Sequence, residues 1–235
     1  MSGASCVLVV SNIDLRTNTP ITKPSAFLKS SVRDFILNIN NDYRYMKTGY
    51  YVSLHAEILG NDVVPTTENA IDAYRQPVLL VRASKNGTPV VPYLVTDSVK
   101  QIMTEFGFPV VVFAVNPFSF NGFQEAKNRT ALYRVVKSLS MNYRYAVCTQ
   151  PLRGEIITVK SFFGECAYDD GDVKEIAKKV YNTFNIPLCK LHIQRFDGKA
   201  YLCGLQPLKM EEITPSDVDM LSKIVSRKPG KGWFD

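Results

Sequence analysis

The sequence predicts an α/β fold, in which a mixed, largely parallel sheet is flanked by helices and accompanied by antiparallel hairpins. Residues 35–39 are apolar and β-prone, and the pattern from there to residue 75 alternates strand, helix, strand, helix. Residues 109–115 form an almost continuous apolar run, which is typical of a central strand buried on both faces. Residues 172–184 carry apolar side chains at helical spacing, which predicts a helix packed against the sheet.

The first unit of this pattern joins a strand to a helix through a polar loop. Asn and Asp residues after the strand at 35–39 predict a turn, and Thr48-Gly49 predicts a helix start. The helix then shows an apolar repeat at i, i+3, i+4 and i+7 and ends at Gly60, the repeat being Tyr51, Leu54, His55 and Ile58. We therefore expect strand, loop and helix within about two dozen residues.

The middle of the chain predicts three strands and two helices. Asn86-Gly87 lies between two β-rich runs and predicts a hairpin over residues 77–95. A helix with Val99, Ile102, Met103 and Phe106 on one face follows, then the buried strand, then a long helix over residues 124–141.

The last third predicts two more hairpins and two helices. The hairpins are expected at residues 143–163 and 187–205, the second one turning at Asp197-Gly198. The helix at 172–184 should bury Val173, Ile176, Ala177, Val180, Tyr181 and Phe184, and a final helix should begin at Thr214-Pro215. Residues 1–226 are predicted to form a single domain, and residues 227–235 a flexible basic tail.

Composition limits the function classes. No run of about 18 apolar residues occurs and the N-terminus lacks a signal-peptide pattern, so a cytoplasmic protein is expected. Five scattered cysteines without a Cys-x-x-Cys pair indicate neither disulfides nor zinc, and the two histidines lie far apart. We predict no metal site and no cofactor. The net charge of +6 favours an anionic partner.

The first candidate site is the loop and helix start after the strand at 35–39. Cations and tyrosines are dense there, and a helix N-terminus offers unpaired N–H groups and a positive dipole end to a phosphate or carboxylate. The predicted ligand-binding residues are Tyr43, Arg44, Lys47, Gly49, Tyr50 and Ser53. The alternative is that the tyrosines pack at an edge of the domain and the cations are solvated.

A second candidate site follows the strand at 109–115. It consists of Asn116 in a loop rich in phenylalanine, with Lys127 and Arg129 in the first turns of the predicted helix. The triplet Tyr143-Arg144-Tyr145 repeats Tyr43-Arg44-Tyr45, but the residues around the two triplets do not match, so no internal repeat is inferred.

Two segments resemble a known domain. NINNDYRYMKTGYYVSLHAEILGNDVVPTTENAID is similar to the N-terminal domain found ahead of RimK-like ATP-grasp ligases, in its Y-x-Y, GYYVSL-x-AE-x-x-G and V-x-P pattern. SFFGECAYDDGDVKEIAKKVYNTFNIPLCKLHIQRFDGKAYLCGLQPL resembles the end of that domain. The matching positions include Tyr43, Arg44, Gly49, Tyr50, Ser53 and Glu57, whereas residues 77–155 are not placed by the resemblance.

The resemblance implies an association with amide-ligating chemistry. In that family the domain precedes an ATP-grasp unit, and this sequence ends about where that unit would begin, so a stand-alone protein is expected. The sequence has no Gly-x-x-x-x-Gly-Lys-Ser/Thr loop, and its last hairpin lacks the Glu-x-Asn pair with which an ATP-grasp core would hold Mg²⁺.

Three functions remain open. In the first, the chain is an accessory or substrate-binding protein of an ATP-grasp amide-ligase system and is non-catalytic by itself. Its expected partner is a separately encoded ligase, an acidic peptide or an anionic small molecule. Alternatively, it is an enzyme acting on an anionic metabolite, with Arg44, Lys47 and Arg129 converging on one pocket. The third is a nucleic-acid binder, which the dispersed cations of the sequence favour least.

Overall fold

The protein is described by a computed structural model that covers residues 7–115 and 123–227. Eleven strands in this part of the chain form three sheets with helices packed on them, which confirms the α/β class. The predicted basic tail falls almost wholly outside the described residues, because α8 (Pro215–Arg227) ends the described part. Within these residues, no helix is both long enough and apolar enough to cross a bilayer.

The parallel strands are confined to the first sheet, whose order is β2-β1-β3-β4. Its central strands pair in parallel from Val7 with Phe35 to Ser11 with Ile39, and all five residues of β3 are buried, as predicted. The strands are β1 (Val7–Ser11), β2 (Ile21–Thr22), β3 (Phe35–Ile39) and β4 (Val63–Val64). The helices of this part are α1 (Pro24–Phe27), α2 (Thr48–Ile58) and α3 (Thr67–Ala73).

The hairpin predicted at residues 77–95 is wrong: its first half is the helix α4 (Gln76–Lys85). Pro77 fits the first turn of a helix, and Leu79, Leu80 and Ala83 share one buried face. A short apolar run has no periodicity that separates a strand from a helix, so tertiary burial decided the outcome. Gly87, at φ +75°, follows the helix end instead of turning a hairpin.

The second sheet is antiparallel, in the order β5-β8-β6-β7. Its strands are β5 (Leu94–Thr96), β6 (Val110–Ala114), β7 (Phe123–Ala126) and β8 (Val147–Pro151), with α5 (Val99–Phe106) and α6 (Arg129–Leu139) packed on it. The predicted buried strand is confirmed as β6. The helix predicted from residue 124 is wrong in its first turn, because residues 123–126 pair with β6 as β7.

The third sheet is also antiparallel, in the order β11-β10-β9. Its strands are β9 (Glu155–Phe162), β10 (Leu188–Phe196) and β11 (Lys199–Gln206). The predicted hairpin at Asp197-Gly198 is confirmed. The hairpin predicted at 143–163 is wrong, because β8 and β9 belong to different sheets and Tyr143 lies in a turn.

The helix α7 (Gly171–Phe184) joins the first and third sheets. All six side chains predicted on its inner face are buried, and they belong to one apolar cluster with residues of β3 and β10. A cluster of this size is the main source of stability for the fold, since apolar burial contributes about 25 cal/mol per Å². Tyr43 of the first candidate site belongs to the same cluster.

Candidate functional site

The loop before α2 is built around Tyr43, whose side chain is completely buried. Its hydroxyl donates to the carbonyl of Asn38 and accepts from the N–H of Asn40, both at 2.9 Å. Burial raises the pKa of this hydroxyl well above its usual value. Tyr43 therefore fixes the loop to the end of β3, and no part of its side chain is open to a ligand.

Arg44 is engaged by its neighbour Asp42. The guanidinium Nη2 lies 2.6 Å from Asp42 Oδ2, and Nε donates to Oδ1 at 3.0 Å. These hydrogen bonds raise the pKa of Arg44. Both side chains are largely buried, so the positive charge of Arg44 is already neutralised within the loop.

Gly49 and Ser53 bring α2 close to the first sheet. A Cβ atom at Gly49 would stand 2.6 Å from the carbonyl oxygen of Asp42, so only glycine fits there. Asn38, buried in β3, donates to the Gly49 carbonyl at 2.7 Å and to Ser53 Oγ at 2.8 Å. The Ser53 hydroxyl in turn donates to the Pro65 carbonyl. These residues lock the helix to the sheet.

This close approach changes which face of α2 is buried. The buried residues are Gly49, Val52, Ser53 and Ala56, whereas the apolar repeat seen in the sequence does not form the buried face. Tyr51 is 42% exposed and Ile58 is 74% exposed. His55 packs edge-on against Phe27 of α1, and its Nε2 lies 3.0 Å from the Ser30 carbonyl. The small side chains face the sheet because the helix lies too close to it to accommodate the larger ones.

The outward side of α2 and its preceding loop presents an exposed aromatic surface. Tyr50 makes edge-on ring contacts with Tyr45 at 5.2 Å and with Tyr51 at 5.7 Å. We call the α2 outer face the set of Tyr45, Met46, Tyr50, Tyr51 and Ile58, with the exposed Lys47 beside it. Four of these five side chains are exposed, and only Tyr50 is partly covered. Of the predicted residues at this site, Lys47 and Tyr50 alone are open to a partner.

The second candidate site lies on a different sheet. Asn128 is the N-cap of α6 and accepts from the Ala131 N–H at 2.9 Å, while Lys127 and Arg129 are exposed. The guanidinium of Arg129 lies over the Tyr133 ring at 5.6 Å. Asn116 lies outside the described residues. Arg44 and Lys47 lie in the loop after β3 of the first sheet, whereas Arg129 begins α6, which packs on the second sheet.

Sequence reasoning missed a buried row of glutamines between the second and third sheets. The carbonyl of Cys203 on β11 accepts from Gln76 and from Gln150, the latter at 3.1 Å. Gln194 on β10 donates to the Pro151 carbonyl at 3.1 Å and accepts from the Arg153 N–H at 2.8 Å. We call this row the glutamine seam. Gln150 in β8 and Gln194 in β10, each a glutamine within a buried strand, are the signal that could have revealed it.

Aromatic side chains lie beside the glutamine seam. Phe113 contacts Phe123, and Phe123 meets the His192 ring edge-on at 4.9 Å. His192 is buried, which lowers its pKa to about 4, and its Nδ1 lies 3.0 Å from Thr158 Oγ1. In residues 7–115 and 123–227 no three His, Cys, Asp or Glu side chains form a group suited to a metal ion.

Solved structures of ATP-grasp ligases share this fold. D-alanine--D-alanine ligase from Bacillus anthracis superposes with a TM-score of 0.64 at 15% identity, covering 94% of this chain and 95% of that one. A RimK domain protein of the ATP-grasp class from Sphaerobacter thermophilus gives 0.65 at 12% identity, covering 92% and 97%. PsnB, an ATP-grasp ligase solved with precursor peptide PsnA2 and AMPPNP, gives 0.63 at 13%, covering 97% and 99%. The fold is that of ATP-grasp ligases.

The family follows from the sequence itself. The model of the RimK-like ATP-grasp N-terminal domain matches residues 24–223, a span that includes residues 77–155. The chain belongs to this family, as its resemblance predicted. No relative among curated proteins matches the sequence.

Proposed function

We propose that the chain is a non-catalytic docking component of an ATP-grasp amide-ligase system, and that its partner is a RimK-like ATP-grasp ligase. The observation that carries this proposal is the α2 outer face, where tyrosine, methionine and isoleucine side chains are exposed on α2 and on the loop before it. Tyrosine and methionine are enriched in protein interfaces, and a helix whose apolar side chains point outward fits a groove on another protein.

The choice of partner rests on family membership. The chain belongs to a domain family defined by its place ahead of RimK-like ATP-grasp units, so an ATP-grasp unit is the protein surface that such a domain would meet. Lys47 sets a positive charge at the edge of the α2 outer face, which would favour a carboxylate at the rim of the partner's groove.

The state of the predicted charge clamps supports a docking role over an enzyme acting on an anionic metabolite. Arg44 is paired with Asp42, and Arg129 lies with another sheet. An enzyme of that kind would need these charges free and close together.

The test is a binding titration with a purified RimK-like ATP-grasp ligase from the same organism. Tyr51→Glu and Ile58→Glu place a charge on the α2 outer face, and we expect each to weaken binding by at least about tenfold. Tyr133→Glu is the matched control, because Tyr133 is also 42% exposed on a helix but belongs to the second sheet. Melting temperatures of the three variants should match that of the parent.

Two results would overturn the proposal. One is equal binding of the ligase by the parent and by the Tyr51→Glu and Ile58→Glu variants, or no binding by any of them. The other is release of phosphate or ADP by the chain alone with ATP, Mg²⁺ and amino acids, since a non-catalytic protein gives no turnover.

A further inference from the structure

A long stretch of the second sheet is basic and contains no acidic residue. Residues 126–154 carry six cations and neither Asp nor Glu, the cations being Lys127, Arg129, Arg134, Lys137, Arg144 and Arg153. On α7, by contrast, Lys179 pairs with Glu175. The stretch therefore has no internal acid to neutralise it.

The fold gathers three of these cations around one open groove at the end of α6. The helix buries Leu132, Val135, Val136 and Leu139, so that Arg134 and Lys137 point to solvent. Arg144 follows the helix and completes the groove, together with Met141 and Asn142. Within the described residues no ion pair joins Arg134, Lys137 or Arg144 to a carboxylate.

An unusual turn sets aromatic side chains next to this groove. Met141, Asn142 and Tyr143 have φ values of 53°, 61° and 60°, a left-handed conformation that costs free energy in non-glycine residues. The buried Ser140 holds the turn: its hydroxyl accepts from the Tyr143 N–H at 2.8 Å, and its carbonyl accepts from Arg144 and Tyr145 at 3.0 Å.

The turn exposes the Tyr-Arg-Tyr triplet of residues 143–145 at the surface. Tyr143 and Tyr145 are each 45% exposed, and Arg144 lies exposed between them. In the other triplet of the chain, Tyr43 is buried and Arg44 is paired with Asp42. Exposed tyrosines flanking an unpaired arginine, with Tyr133 and Lys137 on the adjoining helix, combine flat ring surfaces with positive charge.

We propose that this surface, which we call the α6 end surface, binds single-stranded nucleic acid. Proteins that bind single strands combine a cationic groove along the phosphates with aromatic rings on which bases stack. Arg134, Lys137 and Arg144 supply the first element, and Tyr143 and Tyr145 supply the second. An acidic peptide would pair with the cations but would have no bases to stack on the tyrosine rings. The bases of a duplex stack on one another and are not available to the rings.

The experiment measures fluorescence anisotropy of a labelled 12-nucleotide oligouridylate with the full chain. We expect saturable binding whose logarithmic salt dependence has a slope of about −2, as for three phosphate contacts by a single strand. The double variant Tyr143→Ala with Tyr145→Ala should bind about tenfold more weakly with an unchanged slope. Lys137→Glu with Arg144→Glu should weaken binding further and flatten the slope. Oligodeoxyuridylate of equal length shows whether the 2′-hydroxyl contributes.

Controls separate this surface from general charge attraction. Lys178→Glu changes an exposed lysine on α7 and should leave binding within about twofold after correction for net charge. Equal affinity for the tyrosine double variant and the parent, or tighter binding of a polyglutamate peptide or a 12-base-pair duplex than of oligouridylate, would overturn the proposal. All altered side chains are exposed, and an unchanged melting temperature verifies folding.

Discussion

Glu57, on α2, holds the first turn of α3 through Thr67. Its Oε1 accepts from the Thr67 N–H at 2.7 Å and its Oε2 accepts from the Thr67 hydroxyl at 2.6 Å. The carboxylate thus stands at a helix N-terminus, where both the free N–H groups and the dipole favour negative charge. The sequence resemblance includes Glu57, and the structure shows that this side chain has a structural partner.

Glu57→Ala should destabilise the fold by about 1 to 2 kcal/mol, because two hydrogen bonds to a charged group are lost. Urea unfolding measures the change in the free energy of unfolding. Glu68→Ala is the control: Glu68 also lies in the first turn of α3 but is exposed, and its loss should cost less than about 0.5 kcal/mol. Equal effects of the two changes would show that only local charge matters.

Gly49→Ala should lower the free energy of unfolding by about 1 to 3 kcal/mol, since the added methyl group meets the Asp42 backbone. Gly171→Ala is a suitable comparison, because a Cβ there has no atom within 4 Å. Chemical denaturation of both variants tests the difference. A Gly49→Ala protein as stable as the parent would mean that the loop before α2 shifts freely.

His192 should make stability depend on pH. Its pKa is lowered from 6.5 to about 4 by burial, so the unfolded chain takes up a proton at a higher pH than the folded chain does. The stabilisation is complete above pH 6.5 and declines as the pH falls towards 4, by about 3 kcal/mol in all. Urea unfolding between pH 7 and pH 4 measures the decline, and His192→Gln should reduce it. An NMR titration of the imidazole in the folded protein near pH 6.5 would contradict this account.

The buried thiols should resist labelling. Burial raises the pKa of Cys148, Cys189 and Cys203 to about 12, so almost no thiolate is present at pH 8. Cys166 is half-buried and should be the first of these four to react. The measurement is the rate at which an aromatic disulfide reagent labels the protein thiols, followed by the aromatic thiol that the reagent releases. A Cys6→Ser variant is used because Cys6 lies outside the described residues. Fast labelling of more than one thiol without denaturant would be the contrary result.

Local sequence patterns predicted several helices and strands correctly and others wrongly. The strand at Phe35–Ile39, the start of α2 and the inner face of α7 follow from apolar spacing and turn residues. The helix α4 does not, because Pro77 and the apolar residues after it fit a strand and a helix equally well in isolation. Only burial against other elements decides between them.

The candidate site shows the same limit at the level of side chains. The density of tyrosine and arginine predicted a ligand site at residues 43–51. In the structure, however, Tyr43 bonds to Asn38 and Asn40, and Arg44 pairs with Asp42. The outward direction of Tyr51 and Ile58 depends on how closely small residues let α2 approach the sheet. Distances between elements are a tertiary property, which no single-sequence pattern contains.

The glutamine seam has a consequence for motion between the antiparallel sheets. Gln76 and Gln150 donate to one carbonyl of β11, and Gln194 joins β10 to residues 151 and 153. Separating the two sheets would break these hydrogen bonds together and expose their amides and carbonyls. We therefore expect the glutamine seam to open cooperatively. Amide hydrogens along β8 and β11 should therefore exchange in a single kinetic class, at the pace of global unfolding.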